Sequence, residues 1–84
     1  MNVSTRVREF VTTNFMVRDK LTDDASLLQL GVIDSTGVLE VIGYLERTFG
    51  ITVEDDEILP ENLDSIERIA TYVARKTEPA RQTA

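Results

Sequence analysis

The chain contains no cysteine and no histidine. Without cysteine there is no disulfide, no thiolate nucleophile and no Cys-based zinc site. Without histidine the commonest general base and the usual catalytic triads are gone. Only carboxylates and hydroxyls remain, and they form no nucleophile–base pair, so the chain reads as a non-enzyme without a metal site. Any thiol chemistry has to come from a group added afterwards. No stretch of about 18 apolar residues is present to span a bilayer. The early run from Val3 to Met16 is broken by Arg6, Arg8, Glu9 and Asn14, unlike a secretory leader. The expectation is a soluble cytoplasmic protein. Cations are scarce as well: nine Lys/Arg face fifteen Asp/Glu, a net charge of −6. That balance disfavours nucleic acid and favours partners with basic surfaces.

Eighty-four residues make one domain, too small for a deep cleft. Val3, Val7, Phe10 and Val11 share one face at helical spacing, with Phe15 at its edge, which predicts a first helix to about Met16. Val17 to Asp34 has no sustained period. It carries Asp19, Asp23, Asp24 and Gly31 as turn formers and an apolar cluster of Leu27, Leu28, Leu30, Val32 and Ile33. A loop this long inside a compact domain is often functional, and its leucines predict that it packs down. A second helix starts at Asp34 or Ser35 and ends at Phe49-Gly50, with Leu39, Ile42, Leu45 and Phe49 as the expected buried stripe. Pro60 to Leu63 reads as one short turn begun by proline. Asp64-Ser65-Ile66-Glu67 reads as a capping box with Asp64 as the cap, followed by Ile66, Ile69, Ala70 and Val73. The fold class is thus all-α: three main helices and a short one, with a long structured loop after the first. Pro79 sets an outer limit on the last helix, so residues 1–77 form the domain and 78–84 a flexible tail.

Ser35 stands out, between an apolar loop and an amphipathic helix. A serine at a helix start lies near unpaired N–H groups and the positive end of the dipole, a natural place for a phosphodiester. The simpler reading is that Ser35 or Asp34 merely caps the helix. Asp64-Ser65 is a second Asp-Ser at a helix start, so the dipeptide alone is not diagnostic. The run Glu54-Asp55-Asp56-Glu57 lacks the ligand spacing of a calcium loop and reads as a solvated or partner-facing surface. From Asp34 to Glu67 ten acidic residues face Arg47 alone, a local −9, whereas the rest of the chain carries +3. Such polarisation around one serine fits a docking surface.

Taken together, Leu30-Gly31-Val32-Ile33-Asp34-Ser35, the preceding Ala25-Ser26-Leu27-Leu28, the following Val38-Leu39-Glu40-Val41-Ile42, Leu45-Glu46 and Phe49-Gly50-Ile51 resemble the acyl carrier protein family. The resemblance runs from Val3 to about Lys76. It implies a monomeric helical bundle whose Ser35, beside Asp34, attacks the pyrophosphate of coenzyme A and receives phosphopantetheine. A separate phosphopantetheinyl transferase would supply metal and base. The arm's thiol would then hold an acyl or aminoacyl group as a thioester. By the same resemblance Glu40, Glu46, Val53 and Asp55, with Asp34, would form the surface that partner enzymes recognise, and Leu39, Ile42, Leu45 and Phe49 would be core residues bordering a cavity for an acyl chain. Thr36 and Gly37 replace the Leu-led sequence usual in fatty-acid carriers. Gly31 to Gly37 is similar to carriers served by an adenylate-forming ligase, such as D-alanyl carriers. That points to a specialised cargo. The competing reading is a helical adaptor that docks on a basic partner and carries no cofactor.

Overall fold

The computed structural model describes residues 2–15, 17 and 20–77, all of whose regular structure is helical: α1 (Val3–Asn14), α2 (Ser35–Phe49), a 3-10 turn (Asp55–Glu57), α3 (Pro60–Leu63) and α4 (Ile66–Lys76). The tail expected over 78–84 lies outside the described residues, as do Met16, Arg18 and Asp19. The first helix stops slightly earlier than expected, where Phe15 turns extended. Asn2 starts it by accepting the Thr5 N–H at 2.8 Å. Gly50 ends α2 in the left-handed conformation (φ 69°) with its N–H on Glu46 O, a stop that suits glycine.

Apolar faces of the helices meet in one core, with Val7 and Val11 of α1, Val41 and Leu45 of α2, and Ile66, Ile69, Tyr72 and Val73 of α4 almost wholly buried. A stack of Phe10 on Tyr44 (4.1 Å between ring centres) pins α1 to α2, and Tyr44 donates its hydroxyl hydrogen to Arg6 O. Leu45 is buried as expected, with Ile42 and Phe49 half-buried against the core. The expected stripe is corrected at Leu39, which is not part of the buried line of α2. That line runs through Gly37, Val41 and Leu45, and Leu39 is 65% exposed. Two positions along a helix rotate a side chain by about 200°, so Leu39 faces away from Val41.

The long loop belongs to the core. Leu27 is fully buried, and Leu21 and Ile33 nearly so, whereas Leu28 and Leu30 are exposed. Ser26 Oγ accepts the Gln29 N–H, Leu30 N–H reaches Ser26 O, and Gly31 closes this single turn at φ 72°. Two backbone bonds tie the loop to the far end of the chain: Leu27 N–H to Asp64 O (2.8 Å) and Glu67 N–H to Asp23 O (2.9 Å). Arg8 secures its start, donating to Leu21 O and pairing with Asp23.

The capping box is also corrected. Ser65, 2% exposed, is the N-cap of α4 and accepts the Arg68 N–H at 3.0 Å. Asp64 instead ends α3, and its carboxylate accepts from Ser26 Oγ (2.6 Å) and Leu28 N–H (2.9 Å). The acidic run is not uniformly solvated either. Glu57 Oε1 accepts from Tyr72 Oη, Lys76 Nζ and the Glu54 N–H, at 2.9, 2.9 and 3.0 Å. These bonds clamp the 3-10 turn onto α4.

The hydrogen bond from Lys76, then that from the Glu54 N–H, lowers the Glu57 carboxyl from 4.5 to about 2. Burial, then the Glu57 carboxylate, pushes the Tyr72 phenol above its usual range. A carboxylate lowered on folding stabilises above its unfolded pKa, and that contribution is lost as pH falls through its folded value. The thermal midpoint of the native protein is therefore expected to drop between pH 4.5 and about 2 by more than that of Glu57→Gln. Parallel midpoints across that window would count against the clamp.

Candidate functional site

The start of α2 separates its two polar residues by task. Asp34 is the N-cap: its backbone is extended (φ −112°, ψ −171°) and its Oδ1 accepts the Gly37 N–H at 2.7 Å. Ser35 is the first helical residue, exposed, and its hydroxyl makes no hydrogen bond among the described residues. The first N–H groups of a helix have no partner one turn back, and here the cap takes only that of Gly37. Those of Ser35 and Thr36 face the same end as the serine hydroxyl, where the dipole is positive.

Gly37 lets this arrangement close. A Cβ there would lie 3.0 Å from the Phe15 ring and 3.2 Å from Ile33 Cγ2. Alanine is ordinarily better than glycine inside a helix by about 1 kcal/mol. Gly37→Ala is nevertheless expected to destabilise by about 1 kcal/mol, because the ring and Ile33 must give way. Gly43→Ala, whose new Cβ would meet only the end of the Arg47 side chain, should match or exceed native stability. Urea unfolding of the two variants checks the contrast, and a stabilised Gly37→Ala would contradict it.

Beside Ser35 lies a groove of about 340 Å³, within the size range of small-molecule sites. Ser35, Val38 and Leu39 form one wall, at i, i+3 and i+4 of α2. Leu28 comes from the loop, Ile58 and Leu59 from the far side, and Asp64 from the end of α3. The exposed leucines 28, 39 and 59 all belong to it. Leu39, out of place as a core residue, is thus a groove residue on the same face as Ser35.

A family described as "Phosphopantetheine attachment site" matches residues 5–73 of the chain. The chain belongs to the acyl carrier family. A D-alanyl carrier protein from Abiotrophia defectiva is 31% identical over 61 residues, which cover 73% of this chain and 75% of that protein. The all-helical bundle agrees with membership, and the protein is a carrier with covalently attached phosphopantetheine. The residues at the start of α2 fit such an arm. An exposed hydroxyl sits at a positive helix end, which favours the charge of a phosphodiester, and opens onto an apolar groove beside it.

The other residues singled out in the sequence are spread along α2 and the segment after it. Glu40 and Asp55 are exposed, while Glu46 and Val53 are half-buried and bonded to each other, Val53 N–H to Glu46 Oε2 at 3.0 Å. Glu46 therefore holds the chain after α2 in place. The sequence reading missed Leu28, Ile58, Leu59 and Asp64 as groove residues. Leu39 carried a readable signal, since it lies four residues after Ser35. Ile58 and Leu59 carried none, because their position depends on the Glu57 clamp. Among the described residues no cluster of acidic side chains is suited to a metal ion, and no helix is long and apolar enough to cross a membrane.

Proposed function

We propose that Ser35 bears the phosphopantetheine arm and that the chain, acting as a cytoplasmic monomer with no catalysis of its own, carries an aminoacyl-type cargo delivered by an adenylate-forming ligase. The observation that carries the attachment reading is the division of labour at α2: Asp34 does the capping, which leaves the Ser35 hydroxyl exposed and unengaged. In loading, Ser35 Oγ bonds to the pantetheine-bearing phosphorus of coenzyme A. The bond from that phosphorus to the nucleotide phosphate breaks, 3′,5′-ADP leaves, and the hydroxyl proton passes to the transferase. When bound, the arm supplies the thiol that the chain lacks and holds cargo as a thioester. The cargo reading is supported by Thr36-Gly37 and by the similarity to a carrier named for D-alanine.

Incubation with coenzyme A, magnesium and a broad-specificity transferase is expected to add one arm per chain, mapped to Ser35 by peptide mass. Subsequent ATP, D-alanine and a D-alanine-activating ligase are expected to add one alanyl group. Absence of an arm, or an arm elsewhere, would overturn the attachment site. Loading of a long fatty acid in preference to D-alanine would overturn only the cargo.

Glu40, Glu46, Val53 and Asp55, with Asp34, make the proposed recognition surface. Because Glu40 is exposed, Glu40→Lys is expected to slow arm transfer with stability within about 0.5 kcal/mol of native. Higher salt should narrow the difference. A transfer rate indifferent to both would remove Glu40 from that surface.

A further inference from the structure

The groove beside Ser35 is lined almost entirely by apolar side chains, and Asp64 is the one charged residue in it. Its carboxylate is fixed by one donor on each oxygen, Ser26 Oγ on Oδ2 and the Leu28 N–H on Oδ1. A carboxylate offers about four lone-pair sites, so each oxygen keeps one. The ion pairs among the described residues join Arg8 to Asp23 and Lys76 to Glu57, and neither neutralises Asp64. Among the described residues this rigidly held carboxylate thus borders an apolar groove with no cation paired to it.

An alkyl chain entering the groove would strip water from that anion and return no hydrogen bond, which is costly. An ammonium group would form a charge-assisted hydrogen bond with it. We infer that Asp64 receives the ammonium group of an α-aminoacyl cargo when the arm on Ser35 folds back into the groove. The inference rests on the reading of Ser35 as the attachment residue. An α-amino group titrates near pH ~8 and is cationic at neutral pH. Pairing with Asp64 favours that protonated form. The paired nitrogen has no free electron pair and does not attack a neighbouring thioester. Selectivity follows from the same charge: a neutral acyl group finds the leucines but leaves Asp64 desolvated.

The test compares two arms mounted on labelled protein, each with an amide in place of the thioester so that neither hydrolyses: one ends in D-alanyl, the other in propionyl. The transferase mounts both from the corresponding coenzyme A analogues, and intact mass verifies attachment. In the native protein the alanyl arm is expected to shift the Asp64 carboxyl and Leu28 amide resonances relative to the propionyl arm. Its methyl group should show nuclear Overhauser contacts to Leu28 and Leu59. Asp64→Asn should erase the difference between the arms, and Glu61→Gln, at an exposed carboxylate on α3, should keep it. The native comparison decides by itself if Asp64→Asn does not fold. Identical spectra from the two arms would overturn the inference and leave the attachment reading intact. A protein that accepts no arm overturns both.

Discussion

Ser35→Ala is expected to incorporate no phosphopantetheine at all, while Ser65→Ala takes up one arm as the native protein does. The two serines share an Asp-Ser context and a helix start, yet they occupy different positions in the cap. Ser35 follows its cap, Asp34, and presents an exposed hydroxyl. Ser65 is itself the cap, 2% exposed, with Oγ committed to the Arg68 N–H. A transferase that must bring coenzyme A to a hydroxyl can reach the first and not the second. Ser65→Ala carries a stability cost of about 1 kcal/mol for the lost cap, and Ser35→Ala carries little. Each variant therefore fails in the measurement where the other is native. Intact mass after transferase treatment and urea unfolding together check this crossing pattern. An arm on Ser35→Ala would defeat it.

Leu27→Ala is expected to destabilise as strongly as a deletion inside a helix, by about 2–5 kcal/mol. Leu27 is fully buried, its N–H holds Asp64 O, and its own carbonyl receives the N–H groups of Val32 and Ile33. The side chain fills the core while its backbone organises the turn leading to Ser35. A domain of this size has roughly 5–10 kcal/mol of stability, so much of the folded population is at stake. Leu30→Ala in the same loop, 56% exposed, should change stability by no more than about 0.5 kcal/mol. Thermal and urea unfolding separate the two. Equal, small losses would mean that the loop is laid over the bundle and not built into it.

The features read correctly from sequence were those with a local signal. Helical spacing gave α1, α2 and α4, Gly50 marked the end of α2, and Pro60 marked α3, all as found. The misread features depended on contacts distant along the chain. Asp64 has the local pattern of a cap, but Ser26 and Leu28, 38 and 36 residues away, engage its carboxylate. Leu39 counted as core by hydrophobicity, yet the core line of α2 passes through Gly37, whose bare backbone lets Phe15 and Ile33 approach. Glu57 sat in a run that read as solvent-facing, because Tyr72 and Lys76 come to it only once α4 has packed. At the candidate site, Ser35 and Asp34 were legible, and which of them caps was not. The groove was legible only in part, since three separate segments build it.

The Glu57 clamp also bears on where a minimal carrier can be cut. The family match ends at residue 73 and begins at residue 5. Trimming to those limits would discard Lys76, which anchors Glu57, and Arg75, which donates to Asn62 Oδ1 on α3. It would also remove Asn2, the cap of α1. Ile58 and Leu59 follow directly on Glu57, so such a cut would loosen one bank of the groove from a point far off in sequence. The bonds among the described residues reach from Asn2 to Thr77, past both ends of the stretch that matches the family.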